Sequence, residues 1–249
     1  NFTLKSRSSY NEFLLINDVK SIESSLKSVG YYFVKVEPTL EYLNNNLLNI
    51  NYKIDIGNKA KIAKISFVGD KIYKDRKLKG IIISEEYKFW KFISGKKYLQ
   101  EQLINFDQRL LKIFYQNNGY YNVKINSSFA KLINDQDFEL IYNIEPRDKI
   151  FFGELKITLP NDFDKKNYVS LDTLLKKIKG KPYSINTVDK ILNEIDKITL
   201  DEEYKSVSAS VEEKVIENKL DINFIIDETE KFFVEKINIL GNKITRENV

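Results

Sequence analysis

A Gly-Tyr-Tyr triplet followed by an alternating run occurs twice in this 249-residue chain, with its glycines at residues 30 and 119. Each triplet follows a pattern of residues spaced by four, which marks one face of a helix. The two matching sets are Asp18, Ile22 and Leu26, and Asp107, Leu111 and Tyr115. Glycine at the end of a helix is the usual left-handed stop. The matching surroundings therefore predict a repeated structural unit.

Two strand-like patterns repeat as well. The first ends in a glycine turn, since IAKISFVGD ends at Asp70 and VEKINILGN ends at Asn242. Such alternation suits a strand with one buried face, and Gly-Asp or Gly-Asn supplies turn chemistry before a helix. An intermediate copy, FGELKITLPND, has Leu159-Pro160 where the glycine turn should be. The second pattern reads INYKI from Ile50, LIYNI from Leu140 and INFII from Ile222, so its spacings are 90 and 82 residues.

One complete unit is predicted to contain two helices and three strands in the order β-α-α-β-β. Its predicted elements are a strand at 62–68, a short helix at 74–83, a long helix at 99–117, and strands at 120–129 and 138–145. The two helices supply the crossover that parallel first and last strands require. The fold class is therefore α+β, with tandem repeats that each form a three-stranded mixed sheet backed by two helices.

The repeat pattern divides the chain into four segments. We predict a partial unit at 1–58, complete units at 59–148 and 149–231, and the first strand of a further unit at 232–249. The third copy keeps its helical face through Val188, Ile191, Ile195 and Ile198. It has Glu203-Tyr204 in place of Gly-Tyr, which is a departure from the repeat.

Composition excludes most catalytic chemistry. The chain has neither Cys nor His, so thiolate nucleophiles, the ordinary triads and most transition-metal sites are ruled out. Its acidic clusters lack the alternating oxygen ligands and central glycine of a Ca²⁺ loop. A net charge of +4, with lysines scattered among acids, gives no indication of a nucleic-acid partner. We therefore expect a protein that is not an enzyme and that needs no cofactor or metal.

The combined motifs resemble POTRA domains, the periplasmic modules that precede the outer-membrane barrel in the BamA/TamA superfamily. The match is best from Glu85 to Ile125, through an aromatic loop with Trp90 and a long helix that ends in Tyr115-x-x-x-Gly119-Tyr120. This segment is similar to the third POTRA domain of the assembly factors in that superfamily. On that register, the chain runs from the end of the second domain to the start of the fifth.

This resemblance implies a scaffold function. The chain would lie in the periplasm, tethered to the bacterial outer membrane by its own C-terminal β-barrel beyond residue 249. Its partners would be unfolded outer-membrane proteins and accessory assembly lipoproteins. The alternative is the POTRA array of a related secretion or translocation protein, which binds one exported substrate.

The candidate binding site is the strand that follows the second Gly-Tyr. If the last strand of the unit is central, as the resemblance implies, the preceding strand lies at a sheet edge and offers backbone groups for β-augmentation. The candidate residues are Tyr121, Asn122, Val123, Lys124, Ile125 and Asn126. The alternative is a solvated edge that Lys124, Asn122 and Asn126 protect. Phe89, Trp90 and Phe92 form either a small satellite core or an exposed binding patch.

Overall fold

The computed structural model describes residues 3–90, 94–131, 137–161, 163–201 and 207–228. The chain divides into two compact units. The first unit contains residues 1–150 with 183–185, and the second contains 151–182 with 186–249. We call the repeats the N-terminal copy (1–58), the central copy (59–148) and the C-terminal copy (149–231).

The N-terminal copy has one helix and one hairpin. Helix α1 spans Glu12–Ser28, and strands β1 (Lys35–Tyr42) and β2 (Leu48–Asp55) pair antiparallel. The side chain of Asn11 caps α1 by accepting from the backbone N–H groups of Phe13 and Leu14.

The central copy has the predicted β-α-α-β-β order. Its elements are β3 (Lys61–Gly69), α2 (Asp75–Lys79), α3 (Glu101–Gln116), β4 (Lys124–Lys131) and β5 (Asp137–Glu145). The sheet order is β3-β5-β4, with β3 parallel and β4 antiparallel to β5. The last strand in sequence is therefore the central strand, so β4 lies at an edge.

The C-terminal copy repeats this topology. Its elements are β6 (Phe151–Thr158), α4 (Val169–Ile178), α5 (Ile185–Asp201), β7 (Val207–Ile216) and β8 (Lys219–Glu228). The sheet order is β6-β8-β7, with the same parallel and antiparallel pairings. The predicted α+β class of three-stranded mixed sheets with helices is confirmed.

The buried face of α3 forms the core of the central copy with its sheet. Ile104, Asp107, Leu111 and Tyr115 are buried at spacings of three and four, which is one face of a helix. They belong to or border a cluster that includes Ile62, Phe67, Leu140, Tyr142 and Ile144 from the strands. Side chains of β5 alternate strictly between more and less buried along the strand.

The glycine stops have the predicted geometry in both places that contain Gly-Tyr-Tyr. Gly30 has φ +100° and Gly119 has φ +98°. After α3, Tyr120 N–H donates to the Tyr115 carbonyl and Gly119 N–H donates to the Gln116 carbonyl. These are the two hydrogen bonds of a Schellman motif, in which a left-handed residue follows the helix. The corresponding Glu203-Tyr204 segment lies outside the described residues.

Two predicted boundaries in the central copy were wrong. The strand predicted at 120–129 begins only at Lys124, because the chain turns first and Val123 N–H donates to the Tyr120 carbonyl at 3.3 Å. The short helix predicted at 74–83 ends at Lys79. Beyond it, the backbone N–H groups of Ile83 and Ser84 donate to the side chain of Asp107 instead of to helix carbonyls.

Candidate functional site

Strand β4 pairs on one side only in the part of the chain that the structure describes. Its pairing with β5 runs from Lys124 opposite Glu145 to Lys131 opposite Phe138. Ile125, Ser127 and Phe129 are half-buried, whereas Lys124, Asn126 and Ser128 are exposed. This alternation means that one face of the strand packs under α3 and the other faces solvent.

The six predicted site residues divide into two groups of three. Lys124, Ile125 and Asn126 lie in the edge strand, as predicted. Tyr121, Asn122 and Val123 precede the strand, so their assignment to the edge was wrong.

The backbone of those three residues explains the error. Tyr121 N–H donates to the Gly119 carbonyl, and its own carbonyl accepts from Gln116 Nε2 at 3.2 Å. Val123 is only 4% exposed, and its side chain belongs to the core. The turn after a Schellman motif uses these groups before the ladder begins, and alternation of residue types does not reveal that.

A groove runs between α3 and β4. Its volume is about 320 Å³. It is lined from the helix by Asn105, Gln108, Arg109 and Lys112, and from the strand side by Val123, Lys124, Ile125 and Asn126. Four of the six predicted residues thus lie on its wall, together with four helix residues that the sequence prediction missed. The helical period in the sequence identifies the buried face of α3. The helix positions next to that face were therefore the signal that could have predicted these four groove residues.

Gln108 crosses this groove. Its Nε2 donates to Ser127 Oγ at 3.1 Å and lies 3.5 Å from the Ile125 carbonyl oxygen. The second distance is at the outer limit of a hydrogen bond, so this contact is weak. An incoming donor can therefore replace it at small cost.

The far end of β4 contacts the N-terminal copy within the first unit. The ring of Phe129 lies 4.9 Å from that of Tyr32 and 6.2 Å from that of Phe33, both edge-on. Phe33 also stacks on Phe138 at 4.9 Å. These contacts cover the side-chain face at Phe129, so the accessible part of the strand is Lys124–Ser128.

A buried carboxylate fixes α3 over the sheet. Asp107 is completely buried and accepts from Ile83 N–H at 2.6 Å, Ser84 N–H at 3.2 Å and Tyr142 Oη at 2.7 Å. Burial first, and the Asp107 charge second, raise the pKa of Tyr142 far above its usual value. Tyr142 therefore keeps its proton and remains a donor. Because Gln108 is the next residue, this network also sets the position of the groove wall.

Two aromatic residues of the connection between α2 and α3 are exposed. Phe89 is 73% and Trp90 is 57% exposed, and their rings pack edge-on at 4.7 Å. Of the two interpretations, the satellite core is therefore wrong for Phe89 and Trp90. Phe92 lies outside the described residues.

Within the described ranges, no three Asp or Glu side chains gather as potential metal ligands. No helix in those ranges is long and apolar enough to cross a membrane.

Comparison with known proteins relates the central copy, which contains this site, to one family. Residues 60–147 match the family model described as POTRA, surface antigen variable number repeat. The outer membrane protein assembly factor BamA of Neisseria meningitidis is 26% identical over the whole chain, and that of Buchnera aphidicola is 24% identical over 97% of it. The chain spans 31% and 39% of these two relatives, so it corresponds to about a third of their length.

One solved structure supports the fold. The crystal structure of POTRA domains 3–5 of Haemophilus influenzae BamA superposes with a TM-score of 0.56 at 11% identity. The superposition covers 91% of this chain and 88% of that one.

Proposed function

We propose that this chain, which is similar to the POTRA-domain region of BamA-type proteins, is a receiving scaffold in outer-membrane protein assembly. The central copy binds extended segments of unfolded barrel proteins as an additional strand beside β4. The chain works in the periplasm beside its own C-terminal β-barrel, and accessory lipoproteins dock on the same array.

The observation that carries this proposal is the outer edge of β4, which pairs with no other strand among the described residues and lies next to an open groove. An edge strand presents backbone N–H and C=O groups that another strand can pair with. The accessible length, Lys124–Ser128, is that of a short strand. Lys124 is the only charged residue in this stretch, and the stretch contains no Pro.

Backbone pairing suits a receptor for many clients. Main-chain hydrogen bonds do not depend on the client's side chains, so sequences that share only an extended conformation can bind. Each such bond contributes only about 0.5–1.5 kcal/mol net. Affinity for one short peptide is therefore weak, and it increases when one client engages several copies.

The test is titration of the isotope-labelled 249-residue chain with ten-residue peptides from strands of outer-membrane barrels. We expect amide shifts at residues 124–128. Ile125→Pro removes one backbone donor, and Asn126→Pro removes its neighbour, which points to the opposite side of the strand in a β-ladder. One of these two variants should abolish binding while the sheet remains intact.

A matched control lies in the C-terminal copy. Ile125 pairs with Ile144 in β5, and Ala209 of β7 pairs with the corresponding Ile226 of β8. Ala209→Pro should leave the shifts at 124–128 unchanged. Shifts confined to helix faces, with both β4 proline variants still binding peptide, would contradict the proposal.

A further inference from the structure

We propose that the groove between α3 and β4 favours extended segments with acidic side chains, so that this edge discriminates among clients by charge. This inference rests on the proposed function, because it specifies which strands the β4 edge accepts. The positively charged side chains that carry the preference are Arg109 and Lys112 of α3, whereas the side chain of Lys124 lies on the solvent face of β4.

The groove is positively charged. Three of its eight lining residues are cations, and none is a carboxylate. Helix α3 carries two carboxylates, Glu101 in its first turn and Asp107 in the core. Asp107 is completely buried and accepts from three donors, so it forms no ion pair with the groove cations.

The three cations have no carboxylate partner among the described residues. Arg109 and Lys112 are three positions apart, so they share one side of the helix. The Arg109 guanidinium lies 5.4 Å from the Phe106 ring centroid. Lys124 lies opposite Glu145 in the ladder without forming an ion pair. Its charge is partly offset there, so Arg109 and Lys112 carry most of the preference.

The C-terminal copy lacks this feature at the equivalent positions. The buried residues of α3, Ile104, Asp107, Leu111 and Tyr115, match Val188, Ile191, Ile195 and Thr199 of α5 at one constant offset. The same offset places Asn193 and Asp196 where the central copy has Arg109 and Lys112. In the ladder, Ser208 pairs with Asp227 where Lys124 pairs with Glu145. The positive charge is therefore a property of the central copy and not of the repeat.

An extended client beside β4 would bring alternate side chains over α3. Carboxylates at those positions would lie within reach of Arg109 and Lys112. An exposed ion pair is weak, so we expect about three- to tenfold tighter binding of an acidic peptide than of its basic counterpart at low salt. This preference should almost vanish at about 0.5 M salt, where the screening length is only a few ångströms.

The experiment uses three peptides with the same alternating apolar residues and with Asp, Ser or Lys at the intervening positions. Binding of each to the 249-residue chain is followed by amide shifts at 124–128 at about 50 mM and 500 mM salt. Lys112→Glu should remove or reverse the preference for the Asp peptide. Lys176→Glu, an exposed cation on α4, makes the same net-charge change away from the groove and should leave the preference unchanged.

The outcomes separate this inference from the proposed function. Equal affinities for the three peptides, with binding abolished by one of the β4 proline variants, would overturn the charge preference and keep the edge as the binding site. A preference that Lys176→Glu removes as effectively as Lys112→Glu would show that net charge alone is responsible. Absence of binding by every peptide would overturn both proposals.

Discussion

The central and C-terminal copies fill the same position beneath their long helix in different ways. In the central copy, buried Asp107 accepts from Tyr142 on the middle strand. In the C-terminal copy the corresponding residues are Ile191 and Phe224, and both are completely buried. A polar pair and an apolar pair therefore occupy equivalent places in the same fold.

The connection between the two helices explains this difference. In the central copy it is long, from residue 80 to residue 100, and Asp107 accepts from its Ile83 and Ser84 amides. In the C-terminal copy it covers only residues 179–184, where backbone bonds link Phe152 to Gly180 and Lys181. A buried amide needs an acceptor. The short connection finds one in the neighbouring strand, as Tyr87 of the long connection also does, but the Ile83 and Ser84 amides of the long connection use the side chain of Asp107.

The N-terminal copy supports this explanation. Asp18, equivalent to Asp107, is buried and accepts from the backbone N–H groups of Thr3 and Leu4 at 2.6 and 2.9 Å. Burial acts to raise the pKa of Asp18, but opposing contributions, led by the hydrogen bonds from the Thr3 and Leu4 amides, outweigh it and lower the pKa. In both copies with the buried aspartate, it accepts from the segment that precedes its helix.

The largest loss of stability should come from removing the Asp107 carboxylate of the central copy. Asp107→Leu leaves two backbone amides and the Tyr142 hydroxyl without their acceptor. We expect the central copy to lose about 3–5 kcal/mol of stability. Hydrogen exchange measured separately for each copy in the 249-residue chain would locate this loss.

Two companion variants complete that test. Ile191→Leu conserves volume at the equivalent position and should cost less than about 1.5 kcal/mol. Tyr142→Phe combined with Asp107→Leu should cost less than the sum of the two single changes, because the hydroxyl is no longer stranded. Strict additivity would show that the two side chains are not coupled.

The reverse exchange should have a smaller effect. Phe224→Tyr places a hydroxyl in the C-terminal core, where the residue at the aspartate position is Ile191. Burying it without a partner should destabilise that copy by about 1–3 kcal/mol. Chemical denaturation of the variant beside Ile225→Tyr, on the less buried face of the same strand, measures the difference. Equal stabilities would mean that the position tolerates polarity in both copies.

Replacing Gly119, the glycine that follows α3, should destabilise the central copy by a similar or smaller amount. Gly119→Val forces a β-branched residue to φ +98° and should cost roughly 1 kcal/mol or more. Gly95→Ala is the matched control. Its added Cβ would make only an ordinary 3.7 Å contact with Gln100, and we expect a nearly unchanged thermal midpoint. An equally small effect of Gly119→Val would show that the turn does not need glycine.

The smallest predicted difference in stability appears at acidic pH and involves Glu139 of the central copy. Hydrogen bonds from Lys64 first and Ser66 second lower the pKa of Glu139 on β5. The folded pKa is below the unfolded value of about 4.3, so the folded state releases this proton more readily. The resulting stability is present above the unfolded pKa and is lost as the pH falls through the folded pKa.

Denaturation of the Glu139→Gln variant between pH 7 and pH 3 tests this linkage. Its stability should fall less steeply in acid than that of the unaltered chain. Glu37→Gln changes an exposed carboxylate of the N-terminal copy and should keep the original pH slope. A slope that neither variant changes would assign the acid sensitivity to other carboxylates.

The sequence by itself determined the repeated β-α-α-β-β order and the α+β class, whereas the edge position of the strand after Gly119 was implied only by the resemblance to POTRA domains. It did so because helix and strand periods, and the left-handed turn after α3, are local consequences of residue spacing. The tertiary structure decided that β4 begins at Lys124, that Phe89 and Trp90 are exposed, and that Gln108, Arg109 and Lys112 face the edge. These features depend on which segments pack together across many residues, and residue spacing within one segment does not specify that packing.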